Sequence, residues 1–336
     1  MAVLHHTGIY AYSREHALAA RRKNRGEITA EELQKIRSSD SKKFLDEQIS
    51  ARCDYLSDGQ FSWKDLARPF CYSENEENLE MVRRADTNTF ARRPNITSLA
   101  GIGRVDLSKF LLHRVKNQQL AVLGPYSYGQ LAKVATGISI EELQAAYAKA
   151  LSQSLSSLAN NGIAHVLISE PNLGEKDISV DIWEQEKENL KTITSSLENA
   201  KTTLGFFFYK ANSAWQNLLE LSVDNIAVDM RPRDYFNPTP AAKILVNSHS
   251  YLFESDTDKQ IILGCVNGRN GGFTPNKGLE SAEWIADVVR LANKQNNSLK
   301  FGITFSTDET ILTRGLADAK LKNMGSAKKL LAEDGL

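Results

Sequence analysis

Ala164-His165-Val166-Leu167-Ile168-Ser169-Glu170 is apolar on consecutive positions through its middle and turns polar at its end. A strand with one face in water alternates apolar and polar residues. An unbroken apolar run belongs to a strand covered on both faces, as in a parallel sheet wrapped by helices. Ile261-Ile262-Leu263 reads the same way. Working outward from these two, eight strands are expected: Val3–Tyr10, Asp54–Asp58, Gln119–Gly124, Ala164–Glu170, Thr202–Tyr209, Asn225–Asp229, Gln260–Asn267 and Lys300–Phe305.

Helices are expected between them. Thr29-Ala30-Glu31-Glu32 and Ser139-Ile140-Glu141-Glu142 each set a hydroxyl three residues before a carboxylate. That spacing lets each side chain satisfy a free backbone N–H at the other's position. The second box opens a helix whose Leu143, Tyr147, Leu151, Leu155 and Leu158 fall on one stripe. Asn161-Gly162 should end it, since glycine accepts the left-handed backbone of a helix terminus. Further helices are expected over about Leu279–Asn293 and about Leu316–Leu331.

Eight strands alternating with helices, and no Gly-rich phosphate loop after the first strand, favour a closed (β/α)8 TIM barrel over an open doubly wound sheet. One α/β barrel accounts for residues 1–336 as a single domain, a usual length for this architecture. The segment Phe90–Arg104 carries Pro94, Gly101 and Gly103 and fits a barrel strand poorly; it reads as an inserted hairpin.

Composition narrows the classes of function. Lys plus Arg equals Asp plus Glu at 41 each, so no global field favours nucleic acid or a membrane surface. Three cysteines, Cys53, Cys71 and Cys265, lie far apart, without metal-ligand spacing or a disulfide framework. No apolar run approaches the roughly 18 residues of a membrane span. Met-Ala-Val-Leu-His-His lacks the basic start and apolar stretch of a signal peptide, so the cytoplasm is the expected location. The cluster Arg21, Arg22, Lys23 and Arg25 reads either as a solvated helix face or as a site for an anionic tail.

A barrel gathers its chemistry where the strands end. The polar residues there include Tyr10, Gln60, Tyr126, Ser169, Arg231 and Arg269, read as substrate-binding, and Glu170, Asp229 and Glu309, read as candidate catalytic groups. Carboxylates brought together raise one another's pKa and arginines lower it, so Glu170, Asp229, Asp308 and Glu309 with Arg231, Arg269 and Arg314 suit acid–base work or a hard divalent cation. The same groups equally suit plain ion pairs at the rim. No nucleophile elbow, Walker loop or His-Glu-x-x-His helix occurs. His165 reads as a core residue, and His5 as one that can reach the barrel interior.

Several of these strand ends resemble the cobalamin-independent methionine synthases. Arg14-Glu15-His16-Ala17-Leu18 through Arg25-Gly26-Glu27-Ile28 is similar to their opening, and Asp58-Gly59-Gln60-Phe61 with Arg68-Pro69-Phe70 to their second-strand loop. Asp86-Thr87-Asn88-Thr89-Phe90 and Leu123-Gly124-Pro125-Tyr126 are similar to archaeal-type members. Ile168-Ser169-Glu170-Pro171 resembles the family's Ile-Asp-Glu-Pro. Asn267-Gly268-Arg269-Asn270 and Thr313-Arg314-Gly315 with Lys322-Asn323-Met324 complete the likeness, which spans nearly the whole chain.

The resemblance implies a (β/α)8 barrel and methyl transfer from a folate or a methylated corrinoid to homocysteine, whose thiolate a zinc ion stabilises. It places the zinc ligands at Phe206, Phe208, Asp229 and Glu309. Aromatic carbons cannot ligate a metal, and two carboxylates suit a thiophilic ion poorly. Where the family holds the substrate ammonium with two acids, this chain has Gln60 and Ser169, losing charge-assisted bonds of roughly 1.5–3 kcal/mol each. No metal and no confident cofactor are therefore expected. The chain resembles a single-barrel member of the family, archaeal-type or like a free-standing version of the N-terminal barrel of the two-barrel enzymes. The resemblance implies a donor-binding barrel that partners a separate catalytic barrel, with the Arg21–Arg25 cluster meeting a polyglutamate or phosphate tail. Two other readings stay open: an enzyme using the carboxylate cluster on another small substrate, and a binding protein without turnover.

Overall fold

The computed structural model describes residues 3–71, 80–83, 90–160, 162–174, 178–231, 239–269, 278–307 and 312–336. The first half of the chain holds β1 (Val3–Leu4), α1 (Arg14–Asn24), α2 (Ala30–Ser50), β2 (Met81–Arg83), β3 (Phe90–Arg92), β4 (Asn95–Ile96), β5 (Gln118–Leu123), α3 (Pro125–Leu131), β6 (Lys133–Val134) and α4 (Ile140–Ala159). The second holds β7 (Ile163–Ser169), α5 (Val180–Thr194), β8 (Lys201–Phe206), α6 (Trp215–Glu220), β9 (Asn225–Asp229), α7 (Ala242–Asn247), β10 (Gln260–Val266), α8 (Ala282–Gln295), β11 (Phe301–Phe305) and α9 (Arg314–Glu333).

Seven strands form one sheet in the order β1-β11-β10-β9-β8-β7-β5, and every pair in it is parallel. The expected second strand, Asp54–Asp58, fills the remaining place between β1 and β5. Asp54 N–H donates to Leu4 O (3.0 Å), and Leu4 N–H donates to the Asp54 carboxylate (2.7 Å). On the other side Leu56 N–H donates to Asn117 O (3.0 Å) and Gln119 N–H to Leu56 O (2.7 Å). Two backbone rungs on the β5 edge, and one backbone rung plus a side chain standing in for a carbonyl on the β1 edge, close the sheet into a barrel. All six positions of β5 are buried, as its sandwiching between the barrel interior and helices requires.

Both sequence-predicted capping boxes are present, at Thr29 with Glu32 and at Ser139 with Glu142. The α4 stripe is buried as its spacing predicts, with Leu143, Tyr147, Leu151, Leu155 and Leu158 each below a tenth exposed. Each such side chain contributes about 2 kcal/mol of burial free energy, and Tyr147 adds a stacked contact with Tyr128 at 3.8 Å. Gly162, at φ +104°, turns the chain out of α4 and into β7. The later helices start and stop within three residues of their expected bounds.

The inserted hairpin needs correction. The antiparallel pair is β2 with β3, so the arms are Met81–Arg83 and Phe90–Arg92 and do not both lie within 90–104. Arg93 N–H still donates to Glu80 O (2.8 Å), but Pro94 has no N–H, and the pairing stops there. Beyond it β4 joins β6 in parallel, and Leu99–Gly101 and Leu107–Phe110 form 3-10 turns. No helix among the described residues is long and apolar enough to cross a membrane.

Candidate functional site

The strand ends converge on one mouth, and the buried charges there sort into three groups. The first is built on Glu170, which follows β7 and is fully buried. Its Oε1 accepts from Tyr126 N–H (3.0 Å) and its Oε2 from Ser127 N–H (2.8 Å). Tyr126 and Ser127 follow Pro125 in the first turn of α3, where backbone N–H groups have no helical acceptor, and the carboxylate supplies one to each. The approach is so close that a Cβ on Gly124 would lie 1.9 Å from Glu170 Oε1, so only glycine fits there. Ser127 Oγ in turn accepts from Asn172 N–H (3.1 Å), tying α3 to the turn after β7. Burial raises the Glu170 carboxyl to about 7.

The second group is built on Asp229 at the end of β9. Its oxygens accept from Phe208 N–H (3.0 Å) and Arg231 N–H (2.7 Å), and Arg269 forms a buried ion pair with it. Arg269 also donates to Arg231 O (3.0 Å) and lies over the Phe208 ring. Burial raises the Asp229 carboxyl above its ordinary value, and Arg269 partly offsets this. Beside it Glu280 gathers Arg231 Nη1 (3.3 Å), Lys320 Nζ (2.6 Å) and Asn267 N–H (3.1 Å), all buried. Such charges persist in a low-dielectric interior only when paired and hydrogen-bonded.

The third group joins the first loop to α2 and α9. Arg314 bonds Asp40 (2.8 Å) and Asp318 (2.7 Å), and Tyr10 Oη donates to Asp318 (3.0 Å) while its ring stacks on Phe44 at 3.8 Å. Asp40 also accepts from Ser13 N–H (3.1 Å) and lies 3.3 Å from His16 Nδ1. Gln60 is committed elsewhere. Its Nε2 donates to Ala121 O and its Oε1 accepts from Ala121 N–H, both at 2.8 Å, with its own backbone at φ +49°. Ser169 is buried, and its carbonyl accepts from Gly124 N–H (2.8 Å). Deeper in the barrel, His5 and His165 face each other at 4.9 Å between ring centroids, and His165 Nε2 is 2.7 Å from Thr203 Oγ1.

A cavity of about 360 Å³ opens between these groups and the hairpin. Val82, Arg83, Ala91 and Arg93 roof it; Leu123, Ser127, Gln130 and Leu131 form one wall; Pro171, Asn172, Phe208 and Tyr209 form the other. Asp65 lines it too, but its carboxylate is taken by Ala67 N–H (3.1 Å) and Arg92 N–H (3.4 Å). The lining offers apolar and aromatic surface next to two guanidiniums.

The mouth therefore collects Glu170, Asp229, Arg231, Arg269, Tyr126 and Ser169, while Tyr10 and Gln60 are held by scaffold bonds. Asp308 and Glu309 lie outside the described residues. Arg21, Arg22 and Lys23 lie in the last turn of α1 and Arg25 caps its end, with Arg22 and Arg25 both paired to Glu27. Sequence reading missed Glu186, Glu280 and Lys320. A signal existed: Glu186 falls on the α5 stripe of Trp183, Leu190 and Ile193, and Lys320 among Ala317, Leu321 and Met324 of α9. An ion on an apolar stripe announces a buried partner.

Of the four positions that the resemblance matches to zinc ligands, Glu309 lies outside the described residues, and the other three do not fit that ion. Phe206 is packed in the core with its ring against Gly174, the Phe208 ring carries the Arg269 guanidinium, and the Asp229 oxygens are occupied by two amides and an arginine. No step is derived through zinc.

The family model described as "Cobalamin-independent synthase, N-terminal domain" matches residues 73–274, more than half of the chain. Comparison with curated proteins gives no match. Among solved structures, a B12-independent methionine synthase from Shewanella sp. W3-18-1, in complex with selenomethionine, superposes with a TM-score of 0.66 at 18% identity, over 92% of this chain and 91% of that one. A Listeria monocytogenes protein provisionally described as a vitamin-B12-independent methionine synthase gives 0.69 at 15% identity, over 98% of each chain. A methyltransferase from Methanosarcina mazei gives 0.56 at 11% identity, over 96% and 94%. At these identities the structural likeness speaks for the fold.

Proposed function

Because the chain belongs to the cobalamin-independent synthase family, we propose that it serves methyl transfer to homocysteine as a barrel that binds the methyl donor and carries no zinc of its own. The observation that carries this reading is the Arg269–Asp229 ion pair over Phe208. The resemblance matches Asp229 to a zinc ligand, and here a fixed guanidinium holds its Oδ2 while the N–H groups of Phe208 and Arg231 take up the same carboxylate. Among the described residues no cluster of His, Cys, Asp and Glu could hold a metal to draw off the thiol acceptor's proton, whereas a donor has the cavity beside the hairpin. A flat ring suits Phe208, Tyr209 and Leu131, and an anionic tail suits Arg83 and Arg93. Catalysis would come from a separate zinc-bearing barrel.

Isothermal titration with methyltetrahydrofolate and with methylcobalamin tests the reading, together with elemental analysis of the purified protein. Binding of one donor and no stoichiometric metal are expected. A tightly held metal, or turnover of homocysteine by this chain alone, would overturn it; so would silence with every methyl donor.

A further inference from the structure

One wall of the cavity hangs on a single buried carboxylate, and a second buried acid stands behind it. Glu170 holds the first turn of α3 through Tyr126 N–H and Ser127 N–H, and Ser127 holds Asn172. Ser127 and Asn172 are both cavity wall. Glu186 reaches this point from α5 and is 1% exposed. Neither of its carboxyl oxygens makes a well-formed hydrogen bond to a donor among the described residues; the Asn189 amide stands near it, and the Glu170 carboxyl bears on it directly. Among the described residues, the other groups that bear most on the pair carry no charge. They are Tyr126 and Ser127 of α3 and Asn189 of α5, while Gln144 of α4 donates to the Tyr126 carbonyl (3.4 Å).

An ionised carboxylate buried without a donor is unfavourable, and facing a second carboxylate makes it more so. A carboxylic acid whose O–H points at its neighbour relieves both problems. We infer that Glu186 is a positioning residue held as a neutral acid: its O–H donates to Glu170, and the charge on Glu170 decides whether α3 and the turn after β7 hold the cavity wall. Only the identity of the ligand that the wall serves rests on the proposal above that the cavity takes the methyl donor.

Burial raises both carboxyls, Glu170 to about 7 and Glu186 well above its ordinary value. Near neutrality, then, Glu186 keeps its proton while Glu170 titrates. As an anion Glu170 accepts with both oxygens, and the wall is locked. Once protonated, one oxygen becomes a donor and competes with the amides it held, and the wall loosens. The cavity should form, and take its ligand, more readily as pH rises through neutrality.

Amide hydrogen exchange at Tyr126 and Ser127, corrected for intrinsic rates and followed across neutrality, tests this in the full chain. Wild-type protection should rise several-fold around pH 7, the point set by Glu170. Glu170→Gln should make it flat. Glu186→Gln keeps a neutral donor and should keep the rise. Glu186→Leu should move the midpoint up by roughly one pH unit, since the hydrogen bond to the charged form is lost. Coincident curves for Glu186→Leu and wild type, or pH-independent protection in wild type, would overturn the inference. Should Glu186→Leu not fold, infrared spectroscopy decides. A buried protonated carboxyl band should persist above neutrality in wild type and vanish in Glu186→Gln; its absence from wild type refutes the neutral acid. Titrating methyltetrahydrofolate and methylcobalamin at the same pH values separates the two proposals. A switching wall with no donor bound at any pH refutes the donor-binding reading and leaves this one standing.

Discussion

The guanidinium of Arg269 lies over the ring of Phe208, 4.7 Å from its centroid. The contact fixes a positive charge where β8 and β9 end, and Asp229 supplies the counter-charge. Phe208 itself sits at φ +74°, a conformation that a bulky residue adopts only when its surroundings enforce it. Here its N–H is held by Asp229 and its face by Arg269.

Removing the guanidinium alone would strand the Asp229 carboxylate in the interior. Arg269→Met should therefore lower stability by about 3–5 kcal/mol in urea unfolding. Arg269→Lys should recover only part of it, because an ammonium cannot serve Asp229 and the Arg231 carbonyl with one planar fork. The double variant Asp229→Asn with Arg269→Met should cost less than Arg269→Met by itself, since no uncompensated charge remains. A loss under about 1 kcal/mol for Arg269→Met would mean that the pair is not a buried ion pair in this sense.

Gln60 stands where the resemblance would place a glutamate, yet its amide serves the barrel wall. Gln60→Glu keeps the oxygen that accepts from Ala121 N–H but sets a carboxylate against the Ala121 carbonyl. The cost should be about 1–3 kcal/mol at neutral pH. Burial raises the new carboxyl's folded-state pKa, so the protonated form is the better tolerated one. Stability should thus be nearly intact at low pH and be lost as pH rises from about 4.3, the unfolded value, through the folded one. Equal midpoints for variant and wild type at neutral and acidic pH would show that the amide is not the stitch described.

How far the sequence carried this is visible at particular residues. Consecutive apolar positions in β7 and β10 need burial on both faces, and that requirement alone placed the barrel, its strand ends and the convergence of Glu170, Asp229, Arg231 and Arg269. The hairpin was misplaced because Pro94, Gly101 and Gly103 are strong local breakers. The arm they draw attention to is β3, whose partner β2 has only three residues and no breaker of its own. Partner choice was illegible for a different reason. Nothing local tells Asp229 that its partner is Arg269, 40 residues on, or tells Glu170 that Glu186 stands behind it, because barrel curvature makes those pairs. Gln60 shows the limit most plainly. Its residue type suggested a ligand contact, and its bonds to Ala121 follow only from a left-handed turn that spacing does not reveal.

Gly124 offers a direct probe of the first group. Alanine there would bring its Cβ to 1.9 Å from Glu170 Oε1 and 2.3 Å from its Cδ, so the carboxylate must leave. Tyr126 N–H and Ser127 N–H then lose their acceptor. Gly124→Ala should cost about 1–3 kcal/mol, the usual range for a helix start and a buried donor left bare. Two-dimensional NMR should show the disturbance concentrated at residues 125–128 and at Asn172. Uniformly small shifts with unchanged stability would argue against the cradle.

The histidines inside the barrel set the acid limit of the fold. Burial lowers His5 to about 4 and His6 to about 3, and it lowers His165 well below its ordinary value, with the neighbouring imidazoles adding to the effect on His6 and His165. In the unfolded chain each titrates near 6.5. The folded state binds fewer protons than the unfolded one between these values, so stability rises with pH there. The contribution is complete above about 6.5 and is lost as pH falls towards 4, with His5 alone accounting for about 3 kcal/mol by that point. Glu170 works in the opposite sense between 4.5 and about 7, because its raised carboxyl favours folding when protonated. Comparison with a variant isolates the histidine share. Urea midpoints measured from neutral pH down to 4 should fall less steeply in His5→Gln than in wild type, whatever the variant's stability at neutral pH. Parallel slopes would mean that His5 is not held neutral in the barrel.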